Sequence, residues 1–386
     1  MFRKAIVSCS AIVCFFALQL SIVQAQVTTG PRAVVPGGII DKPYLKNFDG
    51  GIALGGYLDH ELFMDGESST FTQHRFIPFI FAQPVDYIHV AAEIEFEYGG
   101  FVRSTPATDG EIKLEFAFMD WILSDALSFR GGVLLTPLGK FNLIHDSPLN
   151  DLTNRPTVSR QLLPTTLMES GMGVFGSFYP QDWVLGYELY VVNGFNDNVI
   201  DGSGRLRVRG GRGSQRTDNN ENKAIVGRFS ASPTIGVDFG LSGHHGKYDA
   251  MGKHNLSIIA LDLDMQRGPF QFIGEGAMVN ADVPDASVTA ESQRGFYAQV
   301  GYHFGFGAVR RYPESVFTGV ARWDVVDYDT DRDGDDEQSA SFGLNMRPVE
   351  GTVVKADYSW RWTRGVGGET WSVPGKLFSF SMATYF

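Results

Sequence analysis

The sequence predicts an all-β protein: a transmembrane antiparallel β-barrel of about sixteen strands, with long external loops and short periplasmic turns. Three observations predict it. Stretch after stretch alternates apolar and polar residues with period two, while helical periodicity is scarce. The alternating stretches run to roughly 10 to 14 residues, where strands of soluble proteins average nearer 5 or 6. Aromatic residues, 13% of the chain, gather at the ends of the apolar faces, at Tyr98, Trp183, Tyr302, Trp360, Trp362 and Tyr385, as in the girdles at the two membrane interfaces.

The chain opens with a segment of another kind. Arg3 and Lys4 precede an apolar centre, Ala11 to Leu18, and then the small residues Val23 and Ala25. This three-part layout predicts a secretory signal peptide over residues 1–25, cut after Ala25, and export by the general secretory route. The apolar run is too short, and too broken by Ser8, Ser10 and Gln19, to span a bilayer. Both cysteines, Cys9 and Cys14, lie inside it, so the exported chain reaches an oxidising compartment with no disulfide. The formal net charge of −12 becomes −14 without Arg3 and Lys4, which excludes a generally basic nucleic-acid binder. Residues 26–50 read as a periplasmic lead-in and residues 51–386 as the barrel.

The strands fall near 51–64, 71–83, 87–100, 111–123, 127–136, 170–179, 183–195, 223–232, 234–245, 254–266, 270–281, 293–306, 316–328, 338–347, 352–364 and 375–386. The third shows why. Ile88, Val90, Ala92, Ile94, Phe96 and Tyr98 take one face, and His89, Ala91, Glu93, Glu95 and Glu97 the other, because successive side chains of a strand point to opposite sides. The fifteenth sets Val354, Ala356, Tyr358, Trp360 and Trp362 against Lys355, Asp357, Ser359 and Arg361. Even-numbered strands end in turns such as Pro84-Val85-Asp86 and Ser124-Asp125-Ala126, and odd-numbered ones in Gly- and Asp-rich loops. Lipid leaves no edge strand unpaired, so the sheet must close. The lipid face of the last strand is Phe378, Phe380, Met382, Thr384 and Phe386. An alternating aromatic strand ending on Phe resembles the signal read by the outer-membrane assembly machinery. The surrounding partners are then outer-membrane lipid and lipopolysaccharide, and the location is the bacterial cell outer membrane.

Leu134 to Thr166, LLTPLGKFNLIHDSPLNDLTNRPTVSRQLLPTT, is a long third loop. With sixteen strands it makes the chain look like a general-diffusion porin. The TPLGKFN stretch between strands and the later GKYD, Gly246 to Asp249, are similar to the phosphate-selective porin O and P group. That resemblance implies a sixteen-stranded homotrimeric channel with a basic pathway for anions.

The loop, 137–169, is far longer than ordinary connections, which marks it as functional or disordered. It is the candidate constriction, with Lys140, His145, Asp146, Asp151, Arg155, Arg160 and Glu169. Alternation places Glu93, Glu95, Glu97, Lys113, Arg130, Asp238, Asp262, Arg322, Asp324 and Arg361 on the pore wall. Acids outnumber bases there, which leans toward cations or neutral polar solutes, because a wide pore selects by the field of its lining. A ring of Lys140, Arg155 and Arg160 at the narrowest point would dominate that field.

Other motifs carry less. GMGVFG, Gly171 to Gly176, matches a dinucleotide fingerprint but lies in a strand with no helix after it; its small residues make room for a loop folded inward. His244 and His245 point to opposite faces of a strand and do not share a metal. Asp329, Asp331, Asp333 and Gly334 match the first half of a calcium loop, with Ala340 where the bidentate Glu belongs. A solvated acidic loop and a structural Ca2+ over Asp329–Glu337, alone or shared with lipopolysaccharide phosphates, both stay open. Arg205, Arg207, Arg209, Arg212 and Arg216 read as a flexible external loop or, bent into the mouth, an anion-collecting funnel. The expected function is passive diffusion of small hydrophilic solutes or ions, with no enzymatic role. The alternatives are a non-conducting barrel serving as adhesin or envelope anchor, a hydrophobic-substrate transporter, and a barrel enzyme.

Overall fold

The computed structural model describes residues 39, 42–45, 50–99, 110–367 and 370–386. The expected signal peptide and most of the 26–50 lead-in lie outside the described residues.

Sixteen strands form one closed antiparallel barrel in sequence order. They are β1 (Gly51–Met64), β2 (Ser69–Val85), β3 (Ile88–Glu97), β4 (Glu111–Ser124), β5 (Leu127–Leu135), β6 (Met168–Phe178), β7 (Val184–Val192) and β8 (Ala224–Thr234). Then follow β9 (Val237–Lys247), β10 (Asn255–Arg267), β11 (Phe270–Ala281), β12 (Ser292–Phe304), β13 (Val316–Asp327), β14 (Asp336–Val349), β15 (Thr352–Arg364) and β16 (Gly375–Tyr385). Two short helices, α1 (Lys140–Leu143) and α2 (Thr157–Gln161), interrupt the connection from β5 to β6. Among the described residues no helix is long and apolar enough to cross a membrane.

The period-two alternation explains the wall. Ile80, Met119, Leu189, Leu261, Val300, Phe342 and Met382 face outward and are exposed. Their inward neighbours Phe79, Asp120, Glu188, Asp262, Gln299, Ser341 and Ser381 are buried. An apolar belt this extensive is not compatible with water, so it is the lipid face. Strands β1 and β16 close the seam in the register Tyr57↔Tyr385 to Met64↔Phe378. Phe386 extends the seam by exchanging backbone hydrogen bonds with Gly56 at 3.0 and 3.2 Å. Gly56 is required there, since a Cβ would sit 2.1 Å from the Ile77 carbonyl and 2.9 Å from the Phe386 ring.

The connections differ between the two ends, with two exceptions. The even-numbered β12–β13 connection, 305–315, is long. The first odd connection is not a long loop but a tight turn, in which Asp65 accepts from the amides of Glu67 and Ser68 at 2.9 and 2.7 Å.

The interior departs from a simply polar lining. Phe79, Phe81, Phe116 and Phe118 point inward and belong to one buried apolar cluster with Leu138, Leu143, Leu163 and Leu167 of the β5–β6 connection and Phe195, Val199, Leu206 and Val208 of the β7–β8 connection. An apolar core therefore lies inside the barrel and holds two loops there.

Candidate pore constriction

The β5–β6 connection folds into the barrel. Asn142 zips its neck: the buried side-chain amide donates to the carbonyls of Thr136 and Leu167 at 2.8 and 3.0 Å and accepts from the Leu167 amide at 2.9 Å. From the neck the loop crosses to the opposite wall. Gly139 N donates to Ser242 Oγ at 2.8 Å, and Glu275 accepts from Phe141 N at 3.1 Å and Ser159 Oγ at 2.7 Å. Thr157 N donates to Asp324 at 2.8 Å, Thr153 N to Asp357 at 3.0 Å, and Asn154 to Ser379 Oγ at 3.1 Å. Inward wall glycines make room for it, because a Cβ at Gly343 would lie 2.5 Å from Leu152 and one at Gly295 3.3 Å from Leu162. The glycines of GMGVFG do not have that role. A Cβ at Gly171 or Gly173 would meet the backbone of Val191 or Leu189 on β7, and at Gly173 also the Tyr190 ring.

The seven constriction residues divide into anchors and lining. His145 is 1% exposed and reaches Glu115 at 3.3 Å. Asp146, also 1% exposed, is held by Lys42 and by the Tyr385 hydroxyl at 2.7 Å. Lys42 and the hydroxyl hold its pKa below the ordinary 3.8 despite burial. Asp151 pairs with Arg347 and Asn345, both at 3.1 Å. Glu169 belongs to β6, not the loop, and meets His244 at 3.2 Å. Lys140 faces Asp264 at 3.0 Å and Asp238 at 3.6 Å. Of the four bases among the seven, only Arg155 and Arg160 have no carboxylate closer than 4.0 Å among the ion pairs of the described residues, Glu337 standing 4.0 Å from Arg160.

The acids among the expected wall residues are matched by bases. Arg75 binds Glu95 at 2.8 Å and Glu97 at 3.1 Å, and Lys113 binds Glu95 too. Lys42 approaches Glu93 at 3.8 Å. Arg130 grips Asp120 through both arms at 2.7 and 2.8 Å, between the rings of Phe118 and Phe175. Arg228 holds Asp262, Arg322 holds Asp324 at 2.9 Å, and Arg361 holds Glu337 at 2.7 Å. Counting charges along strands missed Lys42 and Arg75, and also the buried acids Asp59, Glu61, Asp120 and Glu337. Lys42 lies far away in sequence, and Arg75 faces inward in step with Ile77, Phe79 and Phe81 of β2.

Asp329, Asp331 and Asp333 do not share a centre. Asp329 binds Arg332 at 2.6 Å, Asp331 accepts from Glu291 N at 2.8 Å, and Asp333 reaches Arg364 at 2.9 Å. Spacing of two residues in a turn aimed the carboxylates at separate partners. Ion pairs with arginine brace this loop.

The β7–β8 connection bends inward, as the funnel reading required. Arg207 is taken by Asp335 through two bonds of 2.9 Å, and Arg205 and Arg216 are exposed. Arg209 and Arg212 are part-buried and reach the third loop. Arg209 donates to the carbonyls of Arg160 and Thr165 at 3.1 and 2.7 Å, and Arg212 to that of Thr166 at 3.2 Å. Carbonyl partners leave the guanidinium charge uncancelled. Burial first, then the charges of Arg212, Arg155 and Arg160, bring the pKa of Arg209 down to about 10. It remains a cation at neutral pH in a positive field. Arg155 Nη2 and Arg160 Nε are buried with no hydrogen-bond partner among the described residues. Two loops thus bring Arg155, Arg160, Arg209 and Arg212 into one basic cluster inside the barrel.

Toward the short-turn end the third loop roofs a cavity of about 480 Å³, lined among others by Lys140, Asp151, Asp264, Gln299, Arg322 and Arg347. Its lining carries both charge signs.

No family model matches the chain. It is similar to an uncharacterized protein of Aquifex aeolicus (strain VF5), 26% identical over 345 residues, which covers 80% of this chain and 75% of the relative. In structure it resembles the anion-selective porin from Comamonas acidovorans, with a TM-score of 0.56, 10% identity, and coverage of 88% of this chain and 100% of that one. It also resembles the in-vitro folded OmpT, an outer membrane protein of Vibrio cholerae, in its trimer form, with a TM-score of 0.54, 11% identity, and coverage of 87% and 99%. The fold is that of the outer-membrane barrels. The narrower phosphate-selective O and P group is not among these matches.

Proposed function

We propose that the chain is a passive channel of the bacterial outer membrane that favours small hydrophilic anions. The observation that carries this reading is the basic cluster of Arg155, Arg160, Arg209 and Arg212. Arg209 and Arg212 meet backbone carbonyls and Arg155 the Thr166 hydroxyl, while Arg160 has Glu337 no nearer than 4.0 Å. Net field at the narrowest zone decides selectivity in a pore where ions keep their water. The cluster therefore outweighs the acidic excess counted along the strands. The third loop is the constriction, and its long-loop side faces out of the cell. The similarity to an anion-selective porin supports the reading, and the trimeric form of OmpT supports a homotrimer. The reading assigns no catalytic role to the chain.

Planar-bilayer recording tests it. Purified protein should give stepwise conductance, and a KCl gradient should give a reversal potential of the chloride-preferring sign. A cation-preferring sign would refute the selector. Absence of steps would refute the channel and favour a non-conducting anchor or adhesin, a reading that the loop-filled interior supports. Native mass measurement in mild detergent should return three copies.

A further inference from the structure

Strands β1 and β2 pair through Asp59↔Arg75 and then His60↔Gln73, so His74 is the extra residue of a β-bulge. A bulge re-aims side chains locally. Here it turns His74 inward beside Arg75, between Asp59 and Glu61 of β1. His74 Nδ1 lies 2.8 Å from Glu61 Oε1 and 3.5 Å from Asp59 Oδ2. One ligand atom from each of the three lies within 4.8 Å of the others. Asp59 and Glu61 are 1% and 3% exposed.

Two further observations point to a ligand. Asp59 Oδ1 and His74 Nδ1 are buried with no hydrogen-bond partner among the described residues. Nδ1 points between the two carboxylates. The imidazole is also held from behind. It stacks on Tyr98 at 5.5 Å and 19°, and its Nε2 faces Glu97 Oε1 at 3.8 Å. Tyr98 sits at φ 50, its amide bonded to the His74 carbonyl at 3.2 Å. A carboxylate behind the second ring nitrogen is the usual setting of a metal-binding histidine.

We propose that Asp59, Glu61 and His74 form a binding site for a divalent transition-metal ion on the inner wall of the barrel. The imidazole selects zinc-like ions over calcium and magnesium, which take oxygen ligands. Bonds of about 2.0–2.2 Å in a tetrahedron set donors roughly 3.3–3.5 Å apart. The His74–Asp59 spacing already fits, and the His74–Glu61 spacing opens by roughly half an ångström. The two neighbouring cations are engaged elsewhere, Arg75 by Glu95 and Glu97 and Lys355 by the Ser147 carbonyl at 3.1 Å. Ser147 Oγ of the third loop also donates to Asp59 Oδ2. The ion would therefore bind next to the constriction. The site stands whether or not the barrel conducts.

Calorimetric titration of ZnCl2 into the detergent-solubilised full barrel, carrying no histidine tag, tests it. One saturable zinc per chain is expected, weakened at least tenfold in His74→Ala, in Asp59→Asn and in the isosteric Glu61→Gln. Each variant is first checked for the heat-dependent gel shift of a folded barrel, and Glu61→Gln preserves shape if the others do not fold. No saturable zinc binding would overturn the proposal, as would equal binding by the folded variants. Equal binding of CaCl2 would overturn the assignment to transition metals.

Discussion

Replacing Arg160 and Arg209 by glutamine removes two of the charges gathered at the third loop, and Coulomb's law gives the size of the effect. Arg160 is suited to the test because its side chain is 42% exposed with Glu337 4.0 Å away. Arg209 is suited because its hydrogen bonds go to loop carbonyls. A monovalent ion passing about 5 Å from one such charge in water feels about 0.8 kcal/mol. Screening over a Debye length of about 10 Å at 0.1 M salt lowers this to about 0.5 kcal/mol. Since about 1.4 kcal/mol is tenfold, each charge enriches anions roughly twofold and depletes cations equally. One substitution should then lower the anion-to-cation permeability ratio by about fivefold, and the pair by about 25-fold. At 1 M salt, with a Debye length of about 3 Å, most of the difference should vanish. Reversal potentials in KCl gradients at both salt levels measure it. A double variant with the wild-type reversal potential at 0.1 M would refute the selector and return the question to the wall acids.

Three further outcomes follow from the loop. Deleting residues 142–162 should raise single-channel conductance; an unchanged value would mean that the loop does not narrow the path. Glu275→Ala leaves Phe141 N and Ser159 Oγ without their acceptor, which costs about 2–5 kcal/mol of loop docking. Its current traces should flicker, with less effect from Glu275→Gln, and quiet traces would show that this clamp is dispensable. Lys42→Ala strands the buried Asp146 at a cost of about 3–5 kcal/mol, seen as a lower unfolding midpoint. The ionised Asp146 carboxylate stabilises the fold above its unfolded value near 3.8, and that contribution is lost as pH falls through the lower folded value. In wild type the midpoint should therefore show no Asp146-dependent change between pH 7 and 5, and lose this contribution only below about pH 4. A wild-type midpoint falling at pH 6, absent in Asp146→Asn, would contradict the sign.

The wall was legible because its physics is local. Period two sorts Glu93 from Ile94 and Lys355 from Val354 without knowledge of any partner. The site was much less so, because its contacts are distant in sequence. Nothing near Asp146 points to Lys42, and nothing near Arg160 points to Arg209. The seven constriction residues were chosen by charge alone, and charge does not distinguish a pore-lining group from an anchor. His145 and Asp151 turned out to be anchors because Glu115 and Arg347 wait on the wall. His74 was invisible to a strict alternation, since a bulge breaks the period where it matters. The Gly-rich arginine segment carried the right signal, and its inward bend follows from Val199, Leu206 and Val208 needing the interior core.

The third loop is fastened to β1, β9, β11, β13, β14, β15 and β16 through Asp59, Ser242, Glu275, Asp324, Asn345, Asp357 and Ser379. It works like the spokes of a wheel, and the wall is its rim. A hollow cylinder resists flattening poorly, whereas one tied across its diameter keeps its cross-section. Grafting another loop to change the preferred solute would therefore leave seven rim positions addressed to spokes that are gone. Loop and wall have to be exchanged as one part.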